Sequence, residues 1–268
     1  MSDMNTPMPP SDSTGAPTAH VSPHTADAAT MSTPETLSGI FFEPARTFEA
    51  LRARPRFLIA GIITILAFMA FYILFVQKLG AETIARAQIE SRSPDMAPEQ
   101  LEQALSIQRN PMVQAITYAS FPLVFALIFA AGGGLYLLGS MAMAKSMSYK
   151  QAVSVWVYST LPPTLVFSLV NILLLFLKSK EDIDPAAVNQ GLARANLALL
   201  VNPKEQPVLA TVLGSFDLFQ FYGLFLAVLG LRKIARLSSG AAWGIVLLIW
   251  AVGLLVRVGM SAAFGQAY

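Results

Sequence analysis

Five long apolar runs are separated by polar segments along the chain, at about residues 57–76, 116–140, 152–177, 208–231 and 241–264. The first, Phe57 to Val76, carries no charge. At about 1.5 Å per residue, a helix of that length crosses about 30 Å of hydrocarbon. In lipid only helices and closed barrels satisfy their own backbone, and these runs are too long for barrel strands. The pattern predicts an all-α integral membrane protein with five transmembrane helices.

The polar segments differ in kind. Residues 1–36 are rich in Ser, Thr, Pro and Ala, with no Lys or Arg, and bury too little apolar surface to offset ordering entropy. This predicts a disordered tail ahead of one membrane domain, residues 37–268. The tail also lacks the basic start and apolar middle of a signal peptide. Leu37 to Arg56 then reads LSGIFFEPARTFEALRARPR, where Pro44 suits a first helical turn and Phe48 and Leu51 share a face. This predicts a short juxtamembrane amphipathic helix on the inner membrane surface, with Arg46, Arg52, Arg54 and Arg56 as a basic anchor. In the loop 77–111, Pro98 opens a helix with Leu101 and Leu105 on one side; in the loop 178–207, a second helical stretch runs from Pro185 to Leu200. Both are expected to fold as small caps over the outer face.

Composition agrees with the pattern. The 268 residues are 54% hydrophobic and 13% charged, about half the charge of a soluble domain. A net charge of +2 is too small for nucleic-acid binding. The absence of cysteine removes disulfides, thiolate nucleophiles and cysteine-ligated metals, and the two histidines, His20 and His24, lie in the tail. No HExxH or GxxxxGK[ST] pattern occurs, and the spans hold neither a histidine or lysine base nor a second aspartate. The expectation is a protein that is not an enzyme, with no catalytic residues, metal or cofactor. The two sets of alternate loops carry equal numbers of basic residues, but those at Arg46–Arg56, Lys145, Lys150 and Arg232–Arg236 lie in short segments abutting the spans. The positive-inside rule therefore favours a cytosolic N-terminus and an outer C-terminus.

Ionisable residues inside apolar spans are costly and are functional candidates by default. Asp217 lies about 21 Å before the end of the fourth run and Arg257 about 24 Å into the fifth. An antiparallel hairpin places them at similar depth, which predicts an ion pair, with Gln220 and Asn171 completing an intramembrane polar cluster. Such a pair either fixes helix register or serves a proton or substrate pathway. Gly132, Gly133 and Gly134 predict close helix packing. Pro162 and Pro163 predict a kink in the third span, either packed or lining a cavity. Trp156 and Tyr158 suit interfacial anchoring.

FEPARTFEALRARPRF before the first span, VYSTLPP in the third and SFDLFQFYGLFLAVLGLRKIARLSSGAAWGIVL together resemble the bacterial branch of the Yip1-domain family, from about Leu37 onward. The resemblance implies a five-helix protein of the bacterial inner membrane. Eukaryotic members act in vesicle traffic and membrane organisation, associating with Rab-type GTPases and with one another. Their DLYGP-type motif is absent from residues 1–56. Their Gly-Tyr step corresponds to Val157-Tyr158, followed by Leu161 and Pro162; their acidic-aromatic motif corresponds most nearly to Asp217, Leu218 and Phe219. The leading functional expectation is a non-enzymatic scaffold or adaptor whose partners are the bilayer, itself or other membrane proteins, and not nucleic acid. The alternative is a small transporter or lipid-moving protein using the polar cluster.

Overall fold

Helix formation begins before the first apolar run, at a signal the hydropathy pattern does not contain. Ser32 and Glu35 form a capping box: the Ser32 N–H donates to the Glu35 carboxylate at 2.6 Å, and the Glu35 N–H donates to Ser32 Oγ at 3.4 Å. This starts α1, Thr33–Phe42, followed by α2, Pro44–Ala53. The computed structural model describes residues 31–266 apart from Pro94 and Lys204. Most of the expected tail lies outside the described residues; its last four positions, 33–36, belong to α1.

The expected helix on the membrane surface is instead a two-helix hairpin folded into one end of the bundle. Ile40, Phe48 and Leu51 are fully buried. The Phe48 ring fills a notch left by Gly230, where a Cβ would lie 2.9 Å from Phe48 Cε1. Period and charge made α2 look like a surface helix, but its apolar face has the bundle itself to cover it.

Among the described residues four helices are long and apolar enough to cross a membrane: α3 (Leu58–Leu79), α6 (Pro111–Ala142), α7 (Tyr149–Leu177) and α10 (Ser239–Phe264). Their outward residues, among them Leu66, Leu123, Leu127, Leu248 and Leu255, are large and exposed, a surface suited to lipid and not to water. The central element is α7, against which α3, α6 and α9 (Leu218–Ile234) all pack. A Ser148–Gln151 capping box starts it, and it continues helically through Pro162 and Pro163. Pro163 frees the Ser159 carbonyl. Gly223 of α9 approaches that carbonyl so closely that a Cβ would lie 3.4 Å from it. Trp156 packs on α6: its ring lies over Gly132 and 5.1 Å from Tyr136, and Gly133 receives Val153. These two glycines pack as expected, whereas Gly134 faces open space.

The run at 208–231 is not one helix. It divides into α8 (Pro207–Gly214) and α9, with a break at Ser215–Asp217. The expected helix from Pro185 to Leu200 is likewise two short 3-10 turns, Pro185–Asn189 and Leu197–Leu200. Gly191 between them takes φ +77°, a left-handed conformation that stops a helix.

Side-chain ties fix the two ends. At the hairpin end, Lys233 pairs with Glu49 at 2.5 Å, and Gln151 Nε2 donates to the Arg52 carbonyl at 2.7 Å. At the other end, Lys78 donates to the carbonyls of Leu175 and Lys178, closing the C-terminus of α7. There α4 (Ala81–Arg92) and α5 (Pro98–Arg109) form the expected cap, with Leu105 buried. Gln266 Nε2 donates to the Arg92 carbonyl at 3.0 Å, placing the end of α10 beside this cap.

Arg109 holds the cap together by bonding both Glu82 oxygens, at 2.5 and 3.1 Å, and lies 3.6 Å from Glu102. That hydrogen-bonded guanidinium holds the Glu82 carboxyl below its ordinary value of 4.5. A lowered carboxylate stabilises fully above its ordinary value and is lost as pH falls through the lowered one. Amide exchange of residues 81–109, corrected for intrinsic rate, is therefore expected to rise below about pH 4.5 while α7 stays protected, with Glu82→Gln showing a smaller acid response. Acid-insensitive exchange in the cap would show that the network contributes nothing there.

Candidate functional site

The break between α8 and α9 interrupts an apolar run, and its backbone polar groups find partners within the protein. Ser215 and Phe216 donate back to the carbonyls of Val212 and Leu213 at 3.1 Å each, and Ser215 Oγ donates to the Thr211 carbonyl at 3.0 Å. Asp217 then opens α9: its Oδ1 accepts the N–H groups of Phe219 at 2.9 Å and Gln220 at 3.2 Å, so its charge also complements the positive end of the helix. The Leu218 N–H is taken by the Ala195 carbonyl at 3.1 Å, and Asn196 Nδ2 donates to Asp217 Oδ2 at 3.4 Å. An extended stretch of the 178–207 loop thus enters the bundle edge and pairs with the break.

Asn171 holds the same stretch one step earlier. Fully buried on α7, it accepts the N–H groups of Leu192 and, at 2.9 Å, Ala193 through Oδ1, and donates to the Phe167 carbonyl at 2.8 Å. Gly191 is required here twice over, by its positive φ and because a Cβ would lie 2.4 Å from the Phe167 ring. Asn171 and Asp217 are therefore joined through residues 191–196 and not by direct contact.

The predicted Asp217–Arg257 ion pair is absent among the described residues. Asp217 spends its oxygens on α9 and Asn196, while Arg257 Nε makes a 3.5 Å contact with the Gly253 carbonyl of its own helix. Similar depth does not compel pairing when a nearer set of donors claims the carboxylate. Asp217, Gln220 and Arg257 do line a common cavity of about 450 Å³, with Thr160 and Pro163 on its α7 side. Arg257, Gln220, Thr160 and Gly223 also line a larger neighbouring cavity of about 960 Å³ between α6, α7, α9 and α10.

The other predicted residues have structural surroundings. Tyr158 is buried and shares a 3.1 Å hydrogen bond with Thr36, fastening α1 to the central helix, so it is not an interfacial anchor. Leu161 and Pro162 are buried in α7. Leu218 is exposed, and Phe219 meets Phe167 edge-on at 5.7 Å. Of the basic residues, Arg46 pairs with Glu43 at 3.1 Å, Arg56 donates to Thr33 Oγ1 at 3.2 Å, Arg52 is half-buried and Arg54 is exposed. Sequence reasoning missed Asn196, Gly191 and Thr36. Asn196 had a local signal, since its side chain accepts the Ala198 N–H and opens the Leu197–Leu200 turn; Gly191 had one as a glycine at positive φ inside a stretch read as helical, whereas the bond of Thr36 to Tyr158 spans 122 residues.

The Yip1 domain family model matches residues 38–260, most of the chain. No curated protein and no solved structure matches it.

Because Asp217 acts as a helix cap, Asp217→Asn, which retains an acceptor oxygen, should melt close to the parent protein in detergent. Asp217→Ala should lose about 1 kcal/mol. The exchange Asp217→Arg with Arg257→Asp should not recover the stability lost by Asp217→Arg alone. Recovery in the double variant would restore the ion-pair reading.

Proposed function

The chain belongs to the Yip1 domain family, and from that premise we propose that it is a non-enzymatic membrane scaffold or adaptor of Yip1 type, serving membrane organisation or a trafficking-like process. Members of this family are in general non-enzymatic membrane proteins. One observation carries the reading for this chain: three of the polar side chains that sequence marked out are occupied in holding segments together. Tyr158 holds α1, Asn171 holds the 191–196 stretch, and Asp217 opens α9. Groups committed in this way are poor candidates for moving a proton or attacking a substrate.

The proposed topology has five crossings, the fourth of them broken. Supporting it, α9 ends at the hairpin end through Lys233–Glu49, while α10 ends at the cap through Gln266–Arg92. The broken crossing is α8 with α9, and α9 alone spans about 25 Å. Arg52, Lys150 and Lys233 gather at the hairpin end, so the positive-inside rule favours a cytosolic N-terminus and an outer cap, in a bacterial inner membrane.

The cysteine-free sequence makes this topology directly testable. Single changes Ser38→Cys, Ser106→Cys and Gln266→Cys should label with an impermeant maleimide only at the second and third positions in intact cells. Co-labelling of Ser38→Cys and Gln266→Cys would exclude five crossings. For the scaffold role, cross-linking in native membranes should capture a second copy or a membrane-protein neighbour. Isolated monomers throughout would remove the basis of that reading.

A further inference from the structure

Arg257 is a cation within an apolar run that the fold leaves without a counter-charge. Among the described residues no carboxylate lies within 4.0 Å of it, and its one hydrogen-bonding contact is a 3.5 Å approach to a carbonyl of its own helix. Its position on α10 is informative. Eighteen residues after Ser239, it stands about 27 Å along the helix from the hairpin end. That is close to the full thickness of the hydrocarbon, about 30 Å, so the guanidinium reaches the headgroup level of the leaflet at the cap end.

Beneath it the protein has an apolar trough. The 960 Å³ cavity extends from Arg257 to Gly244, about 20 Å of α10, and its walls include Leu135, Tyr136, Trp156, Leu248 and Trp250. Its size falls in the range of about 300–1,000 Å³ expected for small-ligand sites. Glycines commonly bring membrane helices together, but here they hold space open: a Cβ on Gly244 or Gly253 would meet no atom within 4 Å. Gln220 and Thr160 line both this trough and the smaller cavity beside Arg257, while Asp217, its oxygens held by α9 and Asn196, lines the smaller one alone.

A cation at headgroup level above an elongated apolar trough matches one ligand class in both chemistry and dimension. We infer that the α6–α7–α9–α10 cavity binds an anionic phospholipid of the cap-side leaflet, its phosphate on Arg257 and one acyl chain along α10. The inference does not depend on the scaffold reading, and it holds whichever side of the membrane the cap faces.

Tryptophan fluorescence tests it directly. The chain has three tryptophans, and two of them, Trp156 and Trp250, line the cavity. In a Trp243→Phe background, the full chain is placed in phosphatidylcholine nanodiscs containing a minor fraction of either dibromo-phosphatidylglycerol or dibromo-phosphatidylcholine. Half-maximal quenching should need about fivefold less of the anionic lipid. Arg257→Gln should abolish this preference and Arg257→Lys should retain it. Gly253→Leu, which fills open space, should abolish it without lowering the melting temperature. Excess inorganic phosphate should leave it intact. Equal quenching by the two lipids, or a preference surviving Gly253→Leu, would overturn the site. Loss of the preference to free phosphate would reduce it to a plain anion site and overturn the lipid assignment. Should Arg257→Gln fail to fold, the Arg257→Lys and Gly253→Leu variants decide the matter between them.

Discussion

A peptide group inside a bilayer has no water to fall back on, and an unpartnered one costs several kcal/mol. The same need for partners is met where the fourth apolar run is interrupted. The interruption at Ser215–Asp217 is tolerated because a loop strand supplies the Ala195 carbonyl, a side chain supplies the Asp217 carboxylate, and the last turn of α8 tightens on itself. The loop strand in turn needs its own amides satisfied, and buried Asn171 on α7 accepts two of them. Hydrogen bonds join break, strand and clamp into one unit.

The same requirement explains why α7 is central. Two successive prolines remove two helical donors, so its carbonyls at Tyr158 and Ser159 lose their usual partners. A helix weakened in this way suits the interior of a bundle better than its rim. The fold surrounds it with α3, α6 and α9, brings Gly223 against the Ser159 carbonyl, and bonds the adjacent Tyr158 hydroxyl to Thr36. The N-terminal hairpin thereby becomes a structural plug. Gly230 admits Phe48 to the depth needed, and Lys233–Glu49 closes the rim.

Hydropathy alone revealed the helical class and the positions of α3, α6, α7 and α10, because length and composition dictate those in lipid. It could not reveal the break in the fourth run. GSFDLFQF is apolar enough to be read through, and only the capping role of an aspartate within it separates α8 from α9. Ser32 and Glu35 were legible as a capping box and were passed over because the surrounding composition looked like tail. The pairing of Asp217 with Arg257 failed for a different reason: equal depth is a one-dimensional argument. Whether two groups bond depends on what else each can reach, and that required Asn196 and the 191–196 strand, which lie far from both α9 and α10 in hydropathy terms.

Asp217 and Arg257 therefore meet different fates for reasons of position, although both are charges in apolar runs. The aspartate stands at a helix start, where amide donors lie within two or three residues and the helix dipole favours its charge. The arginine stands within α10, where every amide N–H is already donated along the helix and the remaining acceptors are carbonyls with one weak contact to offer. A carboxylate at a helix start can be satisfied by the protein alone. A guanidinium within a helix needs an anion from another element or from outside, and α9 has already committed its own. The fold thus solves the backbone problem at the break with the residue that would otherwise have neutralised Arg257. Arg257 is thereby left without a counter-charge beside a cavity that Gly244 and Gly253 line.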